Sequence, residues 1–265
     1  MHGLVSLNQK LTLATDVAIP ALSSAALYGK GIFTTIAIYD GKPFLWEKHW
    51  RRLCNDAKEI GIDLSDCSEV VTLDALDELI AANKVVDGRA RFTFFDESPS
   101  EIWPFDGEQK TSLLITTVER RAISSNFKIE VSLSRIHSSS KLTSIKSCNY
   151  LDNILALEAA RARGFDEAIR LNEHGEVASA CMANVFWLLD GKLFVPSLRT
   201  GCLPGTTREF VLENLECDQV EELYDKLYRA EAIFLTSAGL GVTRIAEFEG
   251  RKLEGEGHAI LKLIP

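Results

Sequence analysis

The chain has no excess of basic residues. Its 29 Lys and Arg stand against 38 Asp and Glu, a formal net charge of −9. Phosphate binding along a nucleic acid needs a basic surface, so nucleic acid is excluded as the main partner, and a polybasic membrane contact with it. No apolar run reaches the roughly 20 residues of a membrane helix. The opening residues, MHGLVSLNQKLTLATDVAIPALSS, lack a basic segment followed by an unbroken apolar core, so no signal peptide is expected. Cysteine is scattered at Cys54, Cys67, Cys148, Cys181, Cys202 and Cys217. No pair has C-x-x-C spacing and no Cys/His cluster has zinc-site spacing, so no metal is expected. The expectation is reduced thiols in a cytoplasmic protein. Internal repeats and low-complexity segments are also lacking.

What is there is ordinary for a soluble globular protein: 265 residues, 46% hydrophobic and 25% charged. Such a chain forms one large or two ordinary domains and buries a core without disulfides or metals.

Strands and helices alternate in the first half. GIFTTIAIYDGKPFLW (31–46) reads as two strands joined at Asp40-Gly41, a dipeptide that favours a hairpin turn. Residues 47–62 have helical periodicity, with Trp50, Leu53, Ala57 and Ile60 on one side and a stop near Gly61. A second amphipathic helix covers 70–85, and strands cover 89–97 and 112–119. Ser98 to Lys110, with two prolines and three acidic residues, reads as a loop. The polar run RIHSSSKLTS (135–144) is another. The second half opens on a helix from about Asn149 to Arg163, stopped at Gly164. Strands follow at EAIRLN, VASACMANVFWLL and LFVP, then a helix over 206–215, then two more strands within EAIFLTSAGLGVTRIAEFEGRKL.

Four features could carry chemistry. Lys146, in IKSCNYL, has small neighbours that would let a ligand approach its amine. Read alone, a solvated lysine is the default, and the alternative is a nucleophile whose pKa burial or a nearby cation has lowered. In GCLPGTTREF (201–210), Gly205, Thr206 and Thr207 open a helix whose free N–H groups could take an anion, although Thr206 could equally be its own cap. In EKHWRRL, Arg51 and Arg52 differ in facing by about 100°, so at most one points inward. In TSAGLG (236–241), Ser237 and Ala238 stand at a strand end that reads as a phosphate-binding turn or an ordinary one.

Taken in order, YGKGIFTTIAIYDGKPFLWEKHWRRL, IKSCNYLDNILALEAARARGFDEAIRLNEHG, NVFWLLDGKLFVPSLRTGCLPGTTREFV and FLTSAGLGVTRI resemble the class IV aminotransferases, the fold-type IV pyridoxal phosphate enzymes. The resemblance runs from about Tyr28 to Leu253. It implies a two-domain α/β (α+β) fold. A small N-terminal α/β domain (1–118) would precede a larger C-terminal cofactor-binding domain (119–265) with a pseudo-barrel, the active site lying between them. It implies pyridoxal 5'-phosphate as cofactor, a small amino substrate and a homodimer. Lys146 matches the lysine that carries the cofactor and moves the substrate proton. Arg52 matches the arginine that pairs with the cofactor phosphate. Gly205, Thr206 and Thr207 match the helix start that takes the same phosphate. Ser237 and Ala238 match the second phosphate turn, where other members often carry Thr in place of Ala238. Tyr150 matches a tyrosine near the ring's phenolic oxygen.

Within the family, the Phe33-Thr34-Thr35 run and the Lys146-x-x-Asn149 spacing are most similar to 4-amino-4-deoxychorismate lyases. A transaminase of branched-chain or D-amino acids is the alternative, and a cofactor-binding protein with lost activity a third. Three positions depart from the pattern. Ala37 stands where lyases commonly have Arg, and FFDESPSEIW replaces an Arg-Gly loop. Ser179 stands where the family places a glutamate under the pyridine nitrogen. Glu176 lies three residues earlier, an odd offset that points to the other face of a strand. A serine offers only a neutral hydrogen bond, so a weaker electron sink is expected.

Overall fold

A computed structural model of the chain describes residues 1–100, 109–253 and 257–265. Of the loop expected at Ser98–Lys110, residues 101–108 lie outside the described residues. The elements in chain order are β1 (Leu4–Leu7), β2 (Lys10–Leu13), α1 (Ser24–Tyr28), β3 (Gly31–Tyr39), β4 (Lys42–Pro43), α2 (Trp46–Ile60), α3 (Glu69–Asn83), β5 (Gly88–Asp96) and β6 (Thr111–Glu119). They continue with β7 (Lys128–Val131), α4 (Leu151–Ala162), β8 (Glu167–Leu171), β9 (Val177–Ala180), β10 (Asn184–Leu189), β11 (Lys192–Pro196), α5 (Thr206–Asn214) and β12 (Asp218–Val220). α6 (Tyr224–Tyr228), β13 (Ala232–Ser237), β14 (Gly241–Arg244), β15 (Glu247–Phe248) and β16 (Arg251–Lys252) complete the chain.

Two compact units result. The first is Met1–Arg121 together with Ile145–Asn149; the second is Ala122–Ser144 together with Tyr150–Pro265. The first unit holds a six-stranded sheet in the order β2-β1-β6-β5-β3-β4. β3 turns into β4 through Asp40 (φ 49°) and Gly41 (φ 72°), the left-handed pair that a two-residue hairpin requires. α2 and α3 cover one face, and Leu53, Leu76 and Leu79 bury against Ile32, Ile36, Phe92 and Ile115. Burying one such side chain stabilises the fold by about 1.5–3 kcal/mol.

The second unit has two five-stranded sheets, β12-β11-β10-β13-β14 and β16-β15-β7-β8-β9. Both contribute to one apolar core, with Trp187, Ile233 and Leu235 meeting Ile129, Ile169 and Val177. The two sheets share this core. Here the structure corrects the expectation of one long strand over 177–189. The chain turns between β9 and β10, where Ala180 N–H donates to the Ala183 carbonyl at 2.8 Å. The buried Glu167 carboxylate fixes this turn by accepting the N–H of Cys181 (3.1 Å) and of Met182 (2.6 Å). The last stretch likewise forms four short strands, β13 to β16, where two were expected. No helix among the described residues is long and apolar enough to cross a membrane.

Candidate active site

In the first unit the site starts from strand alternation. Ile32, Thr34, Ile36 and Ile38 share one face of β3. Three enter the apolar core, and Thr34 is buried as the polar exception. Opposite it, α2 buries His49, Arg52 and Asp56, spaced three and four residues apart on one helix face. Arg52 Nη2 donates to Thr34 Oγ1 at 2.6 Å, and the same oxygen lies 2.7 Å from His49 Nδ1. The Thr34 hydroxyl thus links the guanidinium to the imidazole, and the tautomer of His49 sets the direction of the second bond. Burial, with Arg52 and Lys146 as neighbouring cations, holds the His49 pKa well below its ordinary value, so the ring is neutral.

Lys146 belongs to this unit because its segment adds to β3 as a short strand. Phe33 N–H donates to the Lys146 carbonyl and Cys148 N–H to the Gly31 carbonyl, each at 2.8 Å, around an antiparallel bridge between Ile32 and Ser147. Asp56 Oδ2 accepts the Lys146 backbone N–H at 3.1 Å. The half-buried Lys146 amine lies 4.4 Å from the Phe33 ring centroid. Arg91 stacks on that ring at 3.7 Å. Burial, then the Arg52 and Arg91 cations, bring the amine down to about 7, while the Asp56 charge opposes them. The ring face also favours the ammonium, and the lowering outweighs it. Asp56 is itself pushed up to about 6 by burial, against the Lys146 N–H bond and the Arg52 charge. A lysine amine that is half neutral near pH 7 can act as a nucleophile and as a base.

In the second unit the start of α5 is built around a close approach. Gly205 is the N-cap and makes no side-chain capping bond. A Cβ on Gly205 would stand 2.0 Å from Asn184 Oδ1, so only glycine fits. Asn184 is held by donating Nδ2 to the Leu203 carbonyl at 2.8 Å. In the β10–β13 register Asn184 faces Thr236, whose buried Oγ1 has no partner among the described residues. Thr206 and Thr207 are buried in the first turn of α5, which packs against β13. One residue beyond Thr236, Ser237 Oγ accepts Leu240 N–H at 3.1 Å and shapes the turn that includes Ala238. The helix start, the buried threonines and the turn bring backbone N–H groups and hydroxyls together, with Glu209 the acid of the first turn of α5, and a helix start of this kind can take an anion.

Ser179 lies on β9, buried, opposite Arg170 of β8 and next to a bulge at Arg170/Leu171. Glu176 is engaged elsewhere, accepting from Asn172 Nδ2 at 2.7 Å. Tyr150 is the N-cap residue of α4, half-buried. Thus Arg52 and Lys146 fall together in the first unit, and Tyr150, Ser179, Gly205, Thr206, Thr207, Ser237 and Ala238 all fall in the second. Arg52 is buried and Arg51 exposed, as their facing on the helix requires. Thr34, His49, Asp56, Arg91, Asn184 and Arg170 are polar residues of these clusters that the sequence reading missed. For His49 and Asp56 a signal existed, since they flank Arg52 at helical spacing. For Arg170 and Asn184 it did not, since strand register decides their neighbours. Among the described residues no group of His, Cys, Asp and Glu is arranged to hold a metal ion.

Comparison with known proteins completes the picture. The family model described as amino-transferase class IV matches residues 31–248. The aminodeoxychorismate lyase of Bacillus subtilis is 28% identical, over 98% of this chain and 93% of that protein. Among solved structures, the branched-chain aminotransferase of Thermoproteus uzoniensis with norvaline superposes with a TM-score of 0.90 at 28% identity, covering 98% of this chain and 91% of that one. The T.th. branched-chain amino acid aminotransferase with pyridoxamine 5'-phosphate does so with a TM-score of 0.88 at 24% identity, with the same two coverages of 98% and 91%.

Proposed function

The chain belongs to the class IV aminotransferase family, and from that premise we propose that it is a pyridoxal 5'-phosphate enzyme releasing pyruvate from 4-amino-4-deoxychorismate to leave an aminobenzoate. The observation that carries the reading is Lys146, an amine brought down to about 7 beside two arginines. The cofactor needs a neutral amine for its aldehyde, and the first unit has one. It needs cations and N–H donors for its phosphate. Arg52 is the first kind, and the start of α5 with the Ser237–Ala238 turn is the second. Once bound it would supply an electron sink beside the substrate's amino-bearing carbon.

The residues then divide the work. Lys146 takes the proton from that ring carbon. The electron pair expels the neighbouring enolpyruvyl oxygen, the ring becomes aromatic, and Lys146 returns its proton to the departing enolate, which leaves as pyruvate. No oxidant or reductant is needed. Arg91, exposed and stacked on Phe33, is a cation suited to a substrate carboxylate, a role for which Ala37 offers nothing. Similarity to the Bacillus subtilis lyase over nearly the whole chain supports this choice, as do the Phe33-Thr34-Thr35 run and the Lys146-x-x-Asn149 spacing.

Transamination of small amino acids is the second reading, favoured by the likeness to a branched-chain aminotransferase bound to norvaline. One experiment separates them. The cofactor-loaded protein is given aminodeoxychorismate, then a panel of L- and D-amino acids, while pyruvate and cofactor absorbance are followed. The lyase releases pyruvate and keeps the aldehyde form; a transaminase converts the cofactor to its amine form; a binding protein without activity does neither. A homodimer accompanies either enzyme. Leu151, Ile154 and Leu155 form an exposed apolar stripe on α4 that a second copy would cover. Light scattering that finds a monomer at micromolar concentration would refute the dimer.

A further inference from the structure

The strand pair that carries Ser179 also carries a cation. Arg170 stands directly opposite Ser179 in the β8–β9 register. Residues so paired put their side chains on one face with Cβ atoms about 4.5–5.5 Å apart. Arg170 is wholly buried. Its Nε donates to the Ser134 carbonyl at 3.0 Å and its Nη1 to Asn153 Oδ1 at 3.0 Å. Its Nη2 reaches Ser134 Oγ at 3.2 Å, the Arg135 carbonyl at 3.1 Å and Asp152 Oδ2 at 2.6 Å. The Asp152 side chain is 68% exposed while that of Arg170 is 0% exposed. The anion of this pair is therefore mostly exposed and the cation buried, the two in direct contact.

Asp152 is the acid paired with Arg170; the acid on β8 and the one that precedes β9 are engaged with other groups. Glu167 is committed to the N–H groups of Ala168, Cys181 and Met182. Glu176 is committed to Asn172. The Ser179 hydroxyl itself makes no hydrogen bond among the described residues. A hydroxyl can donate to a neutral ring nitrogen or accept from a protonated one, so the neighbouring charge decides which.

We propose that Arg170 is a positioning residue that, acting through Ser179, keeps the ring nitrogen of the bound cofactor unprotonated. The proposal rests on the reading of the chain as a pyridoxal phosphate enzyme with Ser179 under that nitrogen. It has a consequence that Ser179 alone would not have. A carboxylate introduced at Ser179 would find Arg170 within reach and pair with it, so the substitution alone would protonate the nitrogen only weakly. Both changes together would protonate it.

The test uses the holoenzyme loaded with pyridoxal phosphate labelled with ¹⁵N in the ring, because the nitrogen resonance moves far upfield on protonation whatever the turnover. Wild type should show the unprotonated resonance at neutral pH. Ser179→Glu should move it slightly, and Ser179→Glu with Arg170→Gln should move it fully, a coupled pair rather than a sum. If the Arg170 variant does not fold, Asp152→Asn in the Ser179→Glu background serves instead. By freeing Arg170 to pair with the new carboxylate, it should return the resonance toward wild type. A protonated nitrogen in wild type overturns the proposal, as does a Ser179→Glu shift indifferent to Arg170 and Asp152. Absence of a lysine-bound cofactor band in wild type would instead sink the proposed function, and this inference with it.

Discussion

The candidate residues of the first unit are charged side chains driven into the interior; those of the second are backbone groups and neutral side chains around a fixed turn. Arg52, His49, Asp56 and Lys146 lie within one helix face and one edge segment, and the pKa values of the last three are all displaced by burial, with Arg52 acting on each. Gly205, Thr206, Thr207, Ser237 and Ala238 carry no charge, and their arrangement depends on fit, as the 2.0 Å approach to Asn184 shows. The first region should therefore respond to pH and to the loss of a charge, the second to a single added methyl group.

The hardest break in that comparison is Lys146→Ala. It should abolish the lysine-bound cofactor absorbance and all turnover. The fold should survive, because the bonds that place residue 146 run through its backbone, to Phe33 and to Asp56. Retention of the absorbance would mean that another amine, with the exposed Lys141 the nearest in sequence, is the attachment point.

Next in size is Arg52→Ala, which should weaken cofactor affinity by roughly 2–4 kcal/mol, the range for removing one partner of a buried charge pair. Arg51→Ala should barely change it, since that side chain is exposed. Equal losses in cofactor titrations would undo the assignment of Arg52 as the phosphate partner.

This contrast between the two regions also explains what the sequence could reveal. Helical spacing allowed at most one of Arg51 and Arg52 to point inward because a helix face is a local property, and the family resemblance chose Arg52. The hairpin at Asp40-Gly41 was legible because its dihedrals demand those residue types. The break between β9 and β10 was not, because the residue that fixes it is Glu167, at the far end of another strand. Lys146 fell in the second half of the sequence, yet it pairs with β3 through bonds between residues more than a hundred positions apart. The Arg170–Ser179 pairing depends on register across a bulge, which no local pattern encodes.

Gly205→Ala sharpens the comparison from the other side. Its backbone, at φ −70°, accepts any residue. The cost comes from the collision with Asn184, which cannot retreat without losing its bond to Leu203. Overpacking of this kind costs about 1–3 kcal/mol. Thermal unfolding should fall accordingly, and Asn184→Ser should recover part of the loss. Cofactor affinity should fall as well, with no change in the pH dependence of attachment. A shifted pH profile in Gly205→Ala would erase the distinction between the two regions.

The smallest expected effect, and the most specific to the charged region, is that of Asp56→Asn. Attachment of pyridoxal phosphate needs the neutral amine of Lys146, so in wild type its rate should rise with pH through a midpoint near the amine's value of about 7. At that midpoint Asp56, at about 6, is mostly ionised, and its charge raises the amine's pKa. Asn keeps an oxygen for the Lys146 N–H and removes the charge, so the midpoint should move to lower pH while the segment stays in place. Stability should report the same change with its own sign. A carboxyl whose pKa is raised by folding stabilises the fold below its ordinary value of 3.8 and loses that contribution as pH rises through about 6. The substitution should therefore compare most favourably with wild type above pH 6, and least favourably in acid. Stopped-flow absorbance against pH and melting curves of the cofactor-free protein give the two readouts. If neither the midpoint nor the pH slope of stability moves, the charge of Asp56 does not reach Lys146, and the low pKa of the amine rests on burial and the arginines alone.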